Sequence, residues 1–271
     1  MVVCVPMSET THIVFDPVLE SLAPITLAEM DAIKLMNRTD SKYLTCEATL
    51  QAVLSDAAAA GYRVLVSEGL RNSPYNSVYF DTAGLRMFQD HHNRRLTRQK
   101  VRTRVYENSG VTFLEIKRKN NHGRTKKKRM EIPLAELMDF RADTAATAFL
   151  AAKSWFTADE LSPVLDTAFH RITLVNPDKT ERITIDTCLH FRNFRTGHSA
   201  SLQDAVIIEL KQDGHAGSRM KGILLDHRVK PVRVSKYCIA LTLTDPSARS
   251  GRFKAKVHTI EKTIGNKLIT I

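Results

Sequence analysis

Residues 100–119, KVRTRVYENSGVTFLEIKRK, alternate charged and apolar side chains on both sides of a short polar break. Successive side chains of a β-strand point to opposite faces, so every second residue shares a face. The positions that share the charged faces are Lys100, Arg102, Arg104, Glu115, Lys117 and Lys119. The positions that oppose them are Val101, Thr103, Val105, Leu114 and Ile116. This stretch therefore predicts a β-hairpin with one charged face and one face that can be buried.

The same separation of charged from branched aliphatic side chains recurs in the segments 124–132, 167–176, 180–189 and 204–212. Their charged faces carry Lys127, Arg129, Glu131, Arg171, Arg182, Asp186, Glu209 and Lys211. Shorter strands are expected at 62–67 and 76–82, and helices at 26–37, 45–61, 135–156 and 235–243. Runs of strands joined by short turns, with helices between the runs, predict an α+β fold with a mostly antiparallel sheet.

The charged faces of six strands must form either an open surface or the lumen of a closed barrel. We expect a closed antiparallel β-barrel tunnel of about eight strands with helices packed on its outside, because closure removes the sheet edges. Two cations about 6 Å apart repel by roughly 2 to 3 kcal/mol at an effective dielectric near 20, so an anion should fill such a lumen. A solvated face is the alternative, and it is the usual explanation of a lone basic run.

The overall charge also favours an anionic partner. Forty Lys and Arg residues against 29 Asp and Glu give a formal net charge of +11. Such an excess is typical of proteins that bind nucleotides, polyphosphate, nucleic acid or lipid head groups. With 43% hydrophobic residues, the chain can bury a substantial core. No repeat or low-complexity linker divides it, so we expect a single domain over residues 1–271 with its core at about 38–240.

The cysteine pattern favours a reducing compartment, because the four cysteines are far apart and form no CxxC pair. The first fifteen residues lack the basic start and long apolar run of a signal peptide, and no later stretch is long enough to span a bilayer. We therefore expect a cytoplasmic location. Docking on a membrane protein and the oligomeric state stay open.

Several short motifs together resemble the polyphosphate polymerase (VTC) domain, a branch of the CYTH-like triphosphate tunnel metalloenzyme superfamily. These motifs are RTDSKY, SVYFDT, KVRTRVY, FLEIKRK, KKRMEI, RITIDT, IIELK and VSKY, in the order of the family. The resemblance covers about residues 38–240. It implies an eight-stranded tunnel that binds ATP together with Mn²⁺ or Mg²⁺. It also implies transfer of the terminal phosphoryl group of ATP to a growing polyphosphate chain.

The resemblance assigns roles to individual residues. It implies a catalytic set of Lys42, Arg102, Arg104, Lys117, Arg171 and Lys236. It implies substrate-binding roles for Arg95, Lys100, Lys119, Lys127, Arg129, Arg182 and Lys211. It implies metal binding by Glu209 and, as the next candidate, by Glu115. Arg94 is the alternative to Arg95, because the register of HHNRRLTRQ against the family is open.

The first strand departs from the hydrolytic members of the superfamily, which begin with ExExK. Here the same spacing carries Arg38, Asp40 and Lys42, so one acid has become a cation. This change disfavours a second metal or a water-activating base, and it favours transfer over hydrolysis.

Two alternatives stay open beside the polymerase. One is a tripolyphosphatase or nucleoside triphosphatase on the same fold. The other is a non-catalytic module that binds polyphosphate or RNA. Sequence-specific nucleic acid binding is not expected, because the cations are not interleaved with stacking aromatic residues and only 7% of the chain is aromatic.

Overall fold

The computed structural model describes residues 15–33, 35, 38–214 and 217–268. The strands in this part of the chain are β1 (Ala23–Ile25), β2 (Thr39–Cys46), β3 (Arg63–Leu65), β4 (Asn72–Asp81), β5 (Arg98–Tyr106), β6 (Thr112–Lys119), β7 (Thr125–Ile132), β8 (Ser162–Val175), β9 (Glu181–Asn193), β10 (Ser199–Ser201) and β11 (Ala205–Gln212). The helices are α1 (Asp16–Glu20), α2 (Leu27–Asp31), α3 (Glu47–Ala59), α4 (Arg86–His92), α5 (Thr144–Lys153), α6 (Arg219–Asp226), α7 (Lys236–Thr244) and α8 (Gly251–Ile264). A 3-10 helix covers Leu134–Glu136.

All the strands join one sheet, whose main path of eight runs β2-β11-β9-β8-β4-β5-β6-β7. Each neighbouring pair along this path is antiparallel. Three short strands lie off the path: β10 pairs with β9, and β3 pairs with both β8 and β1. The predicted α+β class with a mostly antiparallel sheet is therefore confirmed.

The predicted closed barrel of eight strands is not seen. The hydrogen-bonded path is open, and among the described residues no ladder joins β7 to β2. Strand β7 has exposed cations on both faces at Lys126, Lys127, Lys128 and Arg129. Such side chains are typical of a free edge strand, because they oppose pairing with another strand. The strand at the other edge of the sheet, β2, is partly covered, because Val232 donates its backbone N–H to the carbonyl of Lys42 at 2.7 Å.

The sheet is strongly curved, so that distant strands meet across its concave side. Lys117 on β6 and Glu209 on β11 lie five strands apart along the path. In a flat sheet this separation would be about 24 Å. Contacts across the concave side show the curvature, because adjacent residues reach strands three apart on the path: Ser235 accepts from Lys100 of β5, and Lys236 donates to Asp186 of β9. We call this concave side, which carries Lys117 and Glu209, the inner face.

Helices α1, α3, α5 and α6 cover the outer face of the sheet. Helix α3 buries Leu50, Val53 and Leu54 against aliphatic residues of β9 and β11, in a cluster that α1 and α6 complete. Helix α5 buries Leu150 against the outer residues of β5 and β6, including Ile116. The alternation of the sequence places these aliphatic residues opposite the charged ones, so burial of the outer face turns the charges inward.

The position of helix α7 differs from the prediction that the helices pack on the outside of the sheet. Its first residues reach the inner face, where the Tyr237 ring stacks on Tyr79 with centroids 5.0 Å apart. Ser235, which caps this helix, accepts a hydrogen bond from Lys100 of β5 at 2.7 Å. The physical reason is the apolar character of this end of the inner face, where Tyr75, Tyr79 and Phe169 require a cover.

Other boundaries also differ from the sequence predictions. Strands β4 and β8 begin earlier than predicted, and the second helix group reduces to α5 with the short 3-10 helix. Helix α8 is not predicted by the sequence analysis. Part of the predicted helix 26–37 lies outside the described residues. No helix in the described part of the chain is both long and apolar enough to cross a membrane.

Candidate active site

Charged side chains from eight elements lie together on the inner face. We call this group the cationic cluster. Its cations are Lys42, Lys100, Arg102, Arg104, Lys117, Lys127, Arg171, Lys211 and Lys236. Its acids are Glu115, Asp186 and Glu209. Cations therefore outnumber carboxylates threefold in the cluster, so its net charge attracts anions.

Glu115 of β6 is the most buried acid of the cluster, with a side chain 1% exposed. Its carboxylate accepts hydrogen bonds from Arg102 at 2.5 Å and from Lys127 at 2.6 Å. Burial alone would raise the pKa of Glu115, but these cations and Arg104 together lower it well below its ordinary value. Both carboxylate oxygens of Glu115 are therefore already engaged with cations.

Asp186 of β9 joins the sheet to helix α7. Arg171 donates two hydrogen bonds to its carboxylate, at 2.6 and 2.9 Å, and Lys236 at the start of α7 donates another. The Lys236 ammonium also lies 3.6 Å from the centroid of the Phe169 ring. Burial lowers the pKa of Lys236 well below its ordinary value, and the ion pair with Asp186 opposes this shift without cancelling it.

Glu209 of β11 is more accessible than the other two acids, with a side chain 23% exposed. Lys42 of β2 donates to its Oε2 atom at 2.6 Å, and Lys211 lies 4.0 Å from its Oε1 atom. Of the first-strand residues Arg38, Asp40 and Lys42, the structure brings Lys42 into the cluster. Arg38 and Asp40 instead pair with one another at 2.6 Å.

Lys117 of β6 is paired across the sheet with two other cations, Lys100 of β5 and Lys127 of β7. It has no ion-pair partner among the described residues. Arg102 lowers the pKa of this ammonium most, followed by burial and by Arg104. A crowded cation of this kind is stabilised when an anion binds beside it.

Aromatic rings hold the deepest arginines in place. The Arg104 guanidinium lies 5.5 Å from the centroids of both Tyr75 and Phe169, and its Nε atom donates to Ser77 at 2.9 Å. Arg171 lies 5.1 Å from the Tyr75 ring. The sequence analysis did not expect cations and aromatic residues to alternate in this way. These ring faces are covered by guanidinium groups, so they do not offer a free platform for stacked bases.

The remaining predicted residues lie away from the centre of the cluster. Arg129 of β7 is exposed, with its guanidinium 4.5 Å from the Phe113 centroid. Arg182 donates to the Met30 carbonyl near the end of α2. Lys119 lies at the end of β6, one inward-facing position beyond Lys117. Arg94 and Arg95 are exposed in the loop after α4.

Two polar residues of the inner face, Tyr79 and Thr184, were not among the site residues predicted from the sequence. The buried hydroxyl of Tyr79 accepts a hydrogen bond from Arg102 at 3.0 Å. Burial would raise the pKa of Tyr79, but Arg102 and Lys100 lower it further than burial raises it. Thr184 lies in phase with Asp186 on β9, and this phase is the signal in the sequence that could have identified it.

A divalent metal fits the oxygen donors around Glu209. Thr184 pairs directly with Glu209 across β9 and β11, and its buried Oγ1 atom has no hydrogen-bond partner among the described residues. No group of three His, Cys, Asp or Glu side chains that could hold an ion occurs in the described ranges. This donor set fits a hard cation that takes one carboxylate and completes its shell with phosphate oxygens and water.

Ligand binding at pH 8 is expected to take up protons at Lys211. Burial lowers the pKa of this ammonium from 10.5 to about 8, Glu209 opposes the shift and Arg171 adds to it. A bound phosphate raises the pKa again, so affinity should fall as the pH rises above 8. Calorimetry of tripolyphosphate binding in buffers of different ionisation enthalpy measures this uptake. Lys211→Met should lower it by about half a proton at pH 8.

The exposed Lys221 of α6 provides the matched control, because it changes the same functional group outside the cluster. Lys221→Met should leave the proton uptake unchanged. An equal uptake in wild type and in Lys211→Met would contradict the assignment of the titrating group.

Solved structures share this fold at low sequence identity. A candidate adenylyl cyclase from Hippeastrum with a dominant triphosphatase activity is 14% identical, with a TM-score of 0.50 over 75% of this chain and 94% of that chain. A candidate adenylate cyclase from Bacillus halodurans is 15% identical, with a TM-score of 0.49 over 74% of this chain and 96% of that one. At these identities the likeness concerns the fold alone. No curated protein matches this chain.

The sequence profile of the VTC domain matches residues 37–244. This range includes the complete cationic cluster, from Lys42 on β2 to Lys236 at the start of α7. It also includes all eight strands of the main path. The predicted family is thus confirmed over most of the chain, and the protein belongs to the VTC domain family.

Proposed function

We propose that this protein is a metal-dependent polyphosphate polymerase, which transfers the terminal phosphoryl group of ATP to a polyphosphate chain on its inner face. The observation that carries the proposal is the threefold excess of cations over carboxylates in the cluster, with Lys117 directly between Lys100 and Lys127 in the sheet, which favours a ligand with several negative charges. Linked phosphates supply such charges at close intervals. Arginine forks and lysine ammonium groups together suit phosphate oxygens better than they suit a single carboxylate.

The geometry supports a role of the cluster in positioning both reactants. Arg102 is fixed by Glu115 and Tyr79, and Arg171 is fixed by Asp186, so their remaining donors have defined directions. Preorganised donors of this kind stabilise charge on a transferring phosphoryl group without a reorganisation cost. Glu209 and Thr184 would hold the divalent ion, which supplies charge neutralisation on the phosphates when bound.

Transfer requires no general base on the protein. The terminal phosphate of the acceptor chain is already an anion, and one of its oxygens forms the new bond to the γ-phosphorus of ATP. The bond between that phosphorus and the β–γ bridging oxygen breaks, and ADP leaves with the electron pair. The protein therefore has to align two polyanions and neutralise their repulsion, which are tasks for the cations described above.

Hydrolysis is the second candidate reaction, and the triphosphatase activity of the Hippeastrum protein favours it. Water as the acceptor would need a group that removes its proton. The three carboxylates of the cluster are each paired with at least one cation, and those of Glu115 and Glu209 have strongly lowered pKa values. Carboxylates with lowered pKa values are weak bases, so the arrangement favours transfer over hydrolysis.

Incubation of the purified protein with ATP and Mn²⁺ or Mg²⁺ tests the proposal. We expect ADP together with a polymer that resists nucleases and is degraded by exopolyphosphatase. Glu209→Gln should lower the rate, because it removes the accessible carboxylate of the cluster. Release of inorganic phosphate without polymer would establish the hydrolase instead. Binding of polyphosphate or RNA without any turnover of ATP would establish a binding module.

A further inference from the structure

A second group of cations lies outside the cationic cluster, where β5 begins and β6 ends. We call it the basic rim, and its members are Arg94, Arg98, Lys119, Arg233 and Lys256. Arg98 and Lys119 are directly paired residues of β5 and β6. Lys256 of α8 donates a hydrogen bond to the carbonyl of Arg233, in the segment that leads from the edge of β2 to α7. Four separate parts of the chain thus contribute to the rim.

The rim cations lie within electrostatic reach of one another. Burial lowers the pKa of Lys119, and Arg98 and Arg233 lower it further. Burial likewise lowers the pKa of Lys256, with Arg233 and Arg94 adding to the effect. These shifts agree with the contacts that place the rim residues in one patch of positive charge.

The pKa of His91, at the end of α4, is also lowered by the positive charge of the rim. Burial lowers the pKa of its imidazole to about 2, together with Lys100, Arg98 and Lys256. The imidazole packs edge-on against the ring of Phe253 of α8, with centroids 6.0 Å apart. His91 is therefore neutral, and it adds no positive charge to the rim in the unliganded protein.

The rim has no carboxylates to balance it, unlike the cationic cluster. In the part of the chain that the structure describes, no ion pair involves any of the five rim residues. All five side chains are exposed or half-buried, so a ligand can reach them. Arg98 and Lys256 each donate to a backbone carbonyl. An anion bound at the rim would still meet cations that no carboxylate of the described residues neutralises, and this excess of charge makes binding at the patch favourable.

Lys100 connects the two groups. It lies on β5 between Arg98 of the rim and Arg102 of the cluster, all three on the inner face. Its ammonium donates to Ser235 at the start of α7, which places it beside the segment that carries Arg233. A linear polyanion with one end in the cluster can therefore continue past Lys100 to the rim.

We propose that the basic rim binds the phosphates of a long polyphosphate chain whose terminal phosphates lie in the cationic cluster. The inference rests on the function proposed above and adds a second binding region that a triphosphate is too short to fill. Lys256 lies beyond residues 37–244, so part of this region is outside the matched VTC domain. A chain that spans both regions binds more tightly than a short one, because the second contact is intramolecular.

Polyphosphate fits the rim better than single-stranded RNA does. RNA binding of general specificity combines a basic groove with aromatic faces on which bases stack. Phe253, the ring next to His91, is 5% exposed and already packed against that imidazole. The exposed Trp155 on the outer side has the Arg118 guanidinium 4.7 Å from its ring centroid. The rim thus offers charge without a stacking platform.

Equilibrium binding in buffer with a chelator and without ATP tests the proposal apart from catalysis. The probes are tripolyphosphate, linear long-chain polyphosphate and single-stranded RNA. The rim variant combines Lys119→Gln, Arg233→Gln and Lys256→Gln. The matched control combines Lys126→Gln, Lys221→Gln and Lys254→Gln, three exposed residues outside both groups that change the net charge equally.

We expect the rim variant to lose about tenfold or more in affinity for long polyphosphate and less than about threefold for tripolyphosphate. The long chain loses its phosphate contacts at the rim, and with them the counterions that those contacts release on binding. The slope of log affinity against log salt should fall by about 2 for the long chain, at about 0.7 for each contact. The control variant should match the wild type. A retained melting temperature in the rim variant would show that the fold is intact.

Three results would overturn the proposal. They are an equal loss of affinity for both phosphate probes, no loss for either, and RNA binding that competes with long polyphosphate and is lost in the rim variant. The experiment distinguishes a wrong assignment of the rim from a wrong assignment of the proposed function. If the wild type binds neither phosphate probe, the cationic cluster itself is not a phosphate site.

Discussion

Replacing Lys117 with methionine is expected to lower the rate of phosphoryl transfer by about 10² to 10³-fold, the usual cost of removing one preorganised electrostatic donor. The same change should leave the unliganded protein as stable as the wild type or more stable. Arg102, burial and Arg104 all lower the pKa of Lys117, so its charge opposes folding until an anion binds. Methionine keeps most of the side-chain volume and removes this repulsion.

Activity with ATP and thermal melting without ligand measure these two effects. Lys128→Met is the matched control, because Lys128 lies on the neighbouring strand β7 with its side chain exposed on the outer side. It should change neither quantity. Tripolyphosphate should raise the melting temperature of the wild type more than that of Lys117→Met. Full activity in Lys117→Met would remove this residue from the site.

Replacing Asp186 with asparagine is expected to destabilise the unliganded protein by about 3 to 5 kcal/mol, because it leaves two buried cations without their counter-charge. Arg171 and Lys236 both pair with this carboxylate, which is 4% exposed. The melting temperature should fall by about 10 °C in a chain of this size. Tripolyphosphate should restore more stability in Asp186→Asn than in the wild type, because its phosphates replace the missing charge.

The acid dependence of stability provides a second measurement. Burial would raise the pKa of Asp186, but Arg171 and Lys236 lower it below its ordinary value. A carboxyl group with a lowered pKa stabilises the folded state above about pH 4 and loses that contribution as the pH falls further. The difference in stability between wild type and Asp186→Asn should therefore shrink below pH 4. Asp178→Asn in the exposed turn before β9 is the control, and it should have no effect.

The alternation of single strands predicted which residues would share the inner face. Each charged residue of 100–119 lies on the side that its phase predicted, and Leu114 and Ile116 are buried on the other side. This inference succeeds because the side-chain period of a strand is fixed by backbone geometry. The catalytic set implied by the family motifs lies together in the cationic cluster, but the roles of its members stay predictions until the variants are measured.

The sequence predicted that the charged faces converge in a lumen, but it did not predict the open seam beside β7. Closure of the sheet depends on the register and twist of all its strands, which no local pattern encodes. The sequence also did not predict the position of α7, because an apolar helix carries no signal for the face of the sheet that it covers. For the same reason the contact between Tyr79 and Arg102 was not predicted.

The sequence by itself therefore determined most of the long strands, the identity of their charged and apolar faces and the excess of positive charge. These features follow from alternation, which is a local property, and from net charge, which is an additive one. Only the tertiary structure decided that the sheet stays open beside β7, that Asp186 locks α7 onto the sheet and that a separate basic rim adjoins the cluster. Those outcomes depend on contacts between residues far apart in the chain, such as Lys256 with Arg233 and Lys236 with Asp186.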